Sequence, residues 1–283
     1  MATSPRVTSA KSDRVTAVRA LHARQGRRKT GRFVVEGPQA VRSALNAGVV
    51  VRDLFMDDSA GVSLADVVEL AGASGVPVTW TSPDALAAMA ETRQPQGVVA
   101  VCDLLLDGDL DSVMAGDGPV VVLDGVSDPG NVGTVIRTAD AAGASGVILT
   151  RGSVDIHNGK VVRSTVGSLF HLPVIPEAEF AEVAAAARRQ GRSIVVLAAD
   201  ADEDLFEAAA AALVCPRTCW IVGSEAHGVG VEARAAADLS VRIPMQGRAE
   251  SLNAAVSAAV VLYVAEHAYR GRRRSADSGP AGV

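Results

Sequence analysis

The chain of 283 residues carries 27 Lys and Arg against 32 Asp and Glu, a formal net charge of −5, and is 48% hydrophobic with only 3% aromatic residues. This balance excludes a disordered chain and fits Val-rich sheets covered by helices; at roughly 100–200 residues per domain, two domains are expected. The polar, basic N-terminus has no apolar run fit for a signal peptide and no transmembrane stretch follows, so a cytoplasmic protein without membrane contact is expected.

The first predicted element is a short basic helix over residues 13–25. Within the first 32 residues, nine Lys and Arg face a single acid, Asp13, although the chain as a whole is acidic. A solvated tail explains this, and so does a local patch for an anionic partner, because a partner meets the patch rather than the average. Phe33 to Gly37 reads as a strand ending in a Gly turn, and Pro38 opens a helix through Asn46. A strand at 49–56, a helix at 64–73, a strand at 76–80, a helix opened by Ser82-Pro83-Asp84 and a strand at 97–102 complete an N-terminal α/β domain over 1–107. The acidic, Gly-containing stretch 108–118 reads as a linker.

A second domain is expected over 119–270, followed by a disordered tail at 271–283. Its strands are expected at 119–124, 146–150, 172–175, 193–198, 218–222 and 239–243, with helices between them and a last helix over 252–270. Near-continuous Val, Ile and Leu strands alternating with helices imply a parallel sheet covered on both faces. The Gly fingerprint of a dinucleotide fold is missing after Val120 to Asp124, where Pro129 interrupts the pattern, and no Walker-type loop is present. Cys102, Cys215 and Cys219 form no spaced framework and read as free thiols; Cys215 and Cys219 lack the second pair a zinc site needs.

Three blocks at strand exits carry chemistry. The first is Asp128-Pro129-Gly130-Asn131 through Arg137, where Asn131 marks a helix start and Arg137 follows on an otherwise apolar helix. An arginine in such company needs an anionic or hydrogen-bonding partner, unless it faces solvent. The second is Ile221-Val222-Gly223-Ser224-Glu225 through Gly230, an apolar strand entering a Gly-rich turn with one acid. The third is Ile243-Pro244-Met245, a polar gap, then Ser251-Leu252-Asn253-Ala254, where a strand leaves through Pro and an apolar helix begins. Each block alone also reads as a capped helix or an ordinary turn.

Taken together and in this order, the blocks resemble the three motifs of the SpoU/TrmH-type RNA 2′-O-methyltransferases of the SPOUT superfamily. Residues 119–270 carry the resemblance. A weaker match over 14–103, with Gly31-Arg32-Phe33-Val34-Val35-Glu36-Gly37, is similar to the opening of the family's ribosomal-protein-like RNA-binding domain. In the second motif Ser224 stands where many relatives have Asn. The resemblance implies a deep trefoil knot in the C-terminal parallel sheet, a homodimer, S-adenosylmethionine as cofactor and RNA as partner; His157, His171 and His227 lack metal-ligand spacing, so no metal is expected. It implies catalytic roles for Arg137, Asn131, Glu225, Ser251 and Asn253. It assigns cofactor contacts to Leu197, Ala198, Gly223, Ile243, Met245 and Leu252. RNA contacts are expected from Arg27, Arg28, Lys29, Arg32, Lys160 and Arg163. The implied reaction is methylation of a ribose 2′-hydroxyl, with ribosomal RNA favoured by the N-terminal domain; the alternatives are a tRNA 2′-O-methyltransferase and a non-catalytic RNA-binding or ribosome-assembly protein on the same fold.

Overall fold

The structure is a computed structural model that describes residues 6–60, 63–105, 108–224 and 226–277, with side chains as far as residue 270. In chain order the elements are β1 (Arg6–Val7), α1 (Asp13–Ala20), α2 (Arg24–Thr30), β2 (Arg32–Glu36), α3 (Pro38–Asn46), β3 (Val51–Asp57), α4 (Ala65–Ala73), β4 (Val78–Thr81), α5 (Pro83–Met89) and β5 (Val98–Asp103). Then come α6 (Leu110–Ala115), β6 (Val120–Asp124), α7 (Pro129–Ala141), β7 (Gly146–Thr150), α8 (Gly159–Thr165), β8 (Val174–Ala178), α9 (Phe180–Arg189) and β9 (Ile194–Leu197). The chain closes with β10 (Glu203–Asp204), α10 (Leu205–Ala210), β11 (Cys219–Gly223), α11 (Val231–Ala236), β12 (Leu239–Arg242) and α12 (Ala254–Asp277). Described residues within Met1–Leu106 and Asp155–His171 form one compact unit, and those within Asp107–Val154 and Leu172–Val283 another.

The first unit is built on a five-stranded sheet in the order β1-β4-β3-β5-β2, with β5 antiparallel to both neighbours. Phe33, Val34 and Val35 are all buried, as expected of a strand covered on both faces. Val15, Val18, Leu86 and Met89 from α1 and α5 cover one face. Serine caps open both helices, with Ser12 accepting from the Val15 N–H and Ser82 from the Ala85 N–H. The single basic helix expected over 13–25 is two helices. Arg27, expected to face RNA, is the reason: it is 3% exposed and donates to the Leu21 and His22 carbonyls left open where α1 ends.

Arg27 also donates to Asp155 at 2.7 Å, across 128 residues of chain. Nε2 of His157 accepts the Leu105 N–H, which leaves Nδ1 to carry the proton and turn it toward Asp155. Burial disfavours the Asp155 carboxylate, but the hydrogen bonds from His157 and Arg27 outweigh it and hold its pKa well below the usual range. A depressed carboxylate contributes stability above the unfolded-state pKa of about 4 and loses it as the pH falls through the folded value. Arg27→Ala is therefore expected to destabilise this unit by on the order of 3 kcal/mol, since it strands a buried charge. Asp155→Asn should flatten the acid limb of the stability curve; chemical denaturation between pH 3 and 7 checks both, and an unchanged acid limb would remove Asp155 from this role.

The second unit is a seven-stranded sheet in the order β10-β12-β9-β11-β6-β7-β8, parallel throughout. Helices α6, α9 and α11 pack Met114, Val183 and Ala233 against Val122, Val196 and Ile221 on one side, while α12 packs against α7 and β11. Because every strand points the same way, the exits of β6, β9, β11 and β12 share one edge, where open α/β sheets place their ligands.

Several expectations are corrected. The stretch 108–118 is no linker, because α6 forms there and buries Val113 and Met114 in the second core. Residues 155–171, expected in the catalytic domain, belong to the first unit. The last helix runs on to Asp277 rather than giving way at 271, and residues 278–283 of the expected tail lie outside the described residues. Cys102 and Cys219 are buried, which pushes their thiols up to about 12, whereas Cys215 is half-buried.

Candidate functional site

The three blocks meet through their helix starts and turns. Asp128 caps α7 by accepting the Asn131 N–H at 2.8 Å, and Pro129 supplies the fixed φ of a first helical turn. The cap is thus Asp128, not Asn131, whose side chain reaches across to the third block instead. Its Oδ1 accepts from Nδ2 of Asn253 at 2.9 Å, while Oδ1 of Asn253 accepts the N–H groups of Ala255 and Val256. Asn253 is therefore both the cap of α12 and the bridge from the third block to the first.

The second block turns back on itself. Ser224 and Gly228 exchange backbone hydrogen bonds of 3.1 and 2.8 Å. Gly223 makes this possible: a Cβ there would lie 2.1 Å from the carbonyl carbon of Gly228. The glycine admits the chain's own backbone, not a ligand. Beyond the turn, Gly230 donates to Asp124 Oδ2 at 2.7 Å, and Thr150 donates to Asp124 Oδ1, which ties the loop to the exit of β6.

Between the exit of β9 and the second and third blocks lies a cavity of about 290 Å³. Leu197, Ala198, Gly223, Ile243, Met245 and Leu252, all six residues expected to touch a cofactor, line it. Asp200, Ser224, Arg234, Glu250 and Ser251 add polar groups. Arg234 donates to Asp200 at 3.1 and 3.2 Å and to the Val229 carbonyl, and its hydrogen bond lowers the Asp200 pKa. The lining thus combines apolar side chains with two carboxylates and a guanidinium.

Residues 118–263, just over half of the chain, match the SpoU rRNA Methylase family. The chain belongs to the SpoU rRNA methylase family. Residues 12–100 match the MRM3-like substrate binding domain. Over 91% of this chain and 97% of its own length, a 23S rRNA (guanosine(2553)-2′-O)-methyltransferase of Bacillus subtilis (strain 168) is 34% identical. A 23S rRNA (uridine(2479)-2′-O)-methyltransferase of Streptomyces viridochromogenes is 35% identical over 86% of this chain and 85% of its own. An AdoMet-bound rRNA methyltransferase from Sinorhizobium meliloti superposes with a TM-score of 0.82 and 30% identity, covering 93% of this chain and 97% of that one.

Against this SpoU frame the expected catalytic residues divide. Asn131 and Asn253 hydrogen-bond to each other and Ser251 lines the cavity, whereas Glu225 lies outside the described residues. Arg137 is exposed on α7 and does not line the cavity of its own chain. Among the expected RNA contacts, Arg28, Lys29, Arg32 and Lys160 are exposed, with Arg32 at 3.8 Å from Asp103. Arg27 points inward, as described above. Arg163 is half-buried and donates to Glu36 at 3.2 Å and Glu91 at 2.8 Å, so it is an internal clamp rather than a phosphate grip. Among the described residues one group of possible metal ligands comes together, His22, Glu36 and Glu91 within 4.8 Å. The Arg163 guanidinium already compensates its carboxylates. Sequence reasoning missed Asp200, Arg234 and Glu250; the run Ala199-Asp200-Ala201-Asp202 reads as surface loop, and only its place after β9 flags it.

Proposed function

We propose that this chain is an S-adenosylmethionine-dependent methyltransferase that methylates a ribose 2′-hydroxyl of 23S ribosomal RNA. The carrying observation is that a single cavity gathers the six residues from the exits of β9, β11 and β12 and the start of α12. Its chemistry fits the cofactor. Leu197, Ile243 and Leu252 offer apolar walls to an adenine, and Asp200, Glu250 and Arg234 together leave one net negative charge for a molecule whose sulfonium, ammonium and carboxylate leave one net positive charge. When bound, S-adenosylmethionine supplies an activated methyl group.

What remains for the residues is positioning. They must hold the 2′-oxygen roughly 3 Å from the methyl carbon and in line with the breaking bond. Asn131 and Asn253 lock two helix starts beside the cavity, and Ser251 lines it. We assign Arg137 the orientation of the hydroxyl and its neighbouring phosphate. A guanidinium, with a pKa above about 12, keeps its charge and suits that role better than that of a base. Glu225 is read as the partner that holds Arg137.

The reading includes a knotted sheet and a homodimer in the cytoplasm. Val256 and Tyr263 are 49% and 53% exposed, seven residues apart on one face of α12, which supports a second copy against that face. Arg137 then serves the cavity of the partner. No helix among the described residues is long and apolar enough to cross a membrane. The ribosomal substrate is supported by the names of the relatives and by the substrate-binding domain.

The test is transfer of label from tritiated S-adenosylmethionine to unmethylated 23S rRNA, followed by mapping. One 2′-O-methylated nucleotide in 23S rRNA is the expected product. Label confined to tRNA would overturn the substrate, and calorimetry without any cofactor binding would overturn the enzyme.

A further inference from the structure

The first unit holds a second cavity, of about 370 Å³, within the usual range for small ligands, roughly 300–1,000 Å³. Gln39 at the start of α3 and Thr92, Gln94, Pro95 and Gln96 from the loop between α5 and β5 line it, with Val166 beyond α8. From these groups we infer that the cavity is a recognition pocket for one unpaired nucleobase of the RNA; the inference rests on the proposed RNA substrate and deepens it.

The loop is held as a scaffold. Buried Glu36 accepts the Glu91 N–H at 2.8 Å, the Thr92 N–H and the Thr92 hydroxyl, and Arg163 adds a further donor. At the far end the Gly97 carbonyl accepts the Asp57 N–H at 2.9 Å. Gly37, at φ +89°, keeps this corner clear, since a Cβ there would stand 3.1 Å from Oε1 of Gln96. None of the Gln39, Gln94 and Gln96 amides has a hydrogen-bond partner among the described residues. A glutamine amide presents a donor beside an acceptor, the pattern that pairs with base edges.

Charge decides against phosphate. The charged groups lining the cavity, Glu36 and Arg163, neutralise each other. Half-buried Pro95 and exposed Val166 offer apolar surface to the flat faces of a base. Single-stranded RNA is read in this manner, by splaying out a base whose edge meets polar groups and whose faces meet apolar ones.

The experiment compares full-length protein with the Gln39→Ala/Gln94→Ala/Gln96→Ala variant, using fluorescence anisotropy on labelled ten-nucleotide homopolymers of A, C, U and an abasic ribose-phosphate chain. The wild type should bind at least one homopolymer about tenfold more tightly than the abasic chain, and the variant should lose that preference while binding the abasic chain unchanged. On 23S rRNA the variant should show a KM raised about tenfold with kcat and cofactor affinity retained. Equal affinity of the wild type for abasic and base-bearing chains would overturn the pocket, as would a variant that keeps the preference. A wild type that methylates 23S rRNA yet fails the base test sinks the pocket alone; one that binds bases but never methylates sinks the enzymatic reading instead.

Discussion

Arg137→Ala is expected to slow methyl transfer to 23S rRNA by about 100-fold or more while leaving the fold and the affinity for S-adenosylmethionine unchanged. The separation follows from position. Arg137 lies outside the cavity of its own chain and is exposed on α7, so its loss removes neither cofactor contacts nor packing. In the role proposed for Arg137, what it removes is a fixed positive charge beside the reacting sugar. The measurement is single-turnover transfer alongside calorimetric cofactor binding. Arg137→Lys should rescue little, because a point charge does not reproduce the planar fork. Complementation probes the placement across subunits. If the proposed dimer forms, mixing Arg137→Ala with a variant whose cavity is blocked should restore about a quarter of wild-type activity, because half the dimers would be mixed and each would carry one intact composite site. No recovery would put Arg137 to work within its own subunit, and near-normal turnover of Arg137→Ala would take it out of the mechanism.

Gly223→Ala supplies the blocked cavity. Its added methyl would lie 2.1 Å from the carbonyl carbon of Gly228, 2.2 Å from the oxygen and 2.4 Å from the amide nitrogen of Val229. All three are backbone atoms, so no side chain can swing aside. The Ser224–Gly228 pair must open and the turn must leave the exit of β11, where it walls the cavity. We expect a stability loss of about 1–3 kcal/mol, the usual cost of forcing extra volume into packed structure. Cofactor affinity should fall by about 100-fold, because the walls move by around an ångström or more. Gly247→Ala is the control: a Cβ there meets nothing within 4 Å, and both stability and affinity should stay put. Cofactor binding by Gly223→Ala equal to wild type would show that this turn does not shape the site.

The cavity was legible in the sequence because its walls are built locally. An apolar strand that ends in Gly, in Ile-Pro-Met or before Ser-Leu-Asn announces an exit, and in a parallel sheet all exits share an edge. The resemblance to the SpoU/TrmH motifs then names Leu197, Gly223, Ile243 and Leu252 as cofactor contacts, and all four line the cavity. The inward turn of Arg27 was not legible, because it depends on Asp155, far along the chain, and on carbonyls exposed only once α1 has ended. An arginine reads the same in sequence whether it faces solvent or a distant carboxylate, and the pairing of Arg163 with Glu36 and Glu91 was hidden for that reason. Helix α6 escaped notice because six residues with acids at Asp109 and Asp111 give too short a period to see; its signal was Val113-Met114 behind an Asp cap. Strands β1 and β10, at two residues each, exist only through their pairing with β4 and β12.

The borrowed segment 155–171 sets a rule for anyone who wishes to transplant RNA selectivity between relatives. A swap of the leading hundred residues alone would carry over Arg27, Glu36 and Glu91 but leave behind the Asp155 and Arg163 that neutralise them. Chimeras cut in two places, exchanging both stretches of chain, keep these ion pairs whole, whereas a graft with a lone junction near residue 106 inherits unmatched charge in its interior.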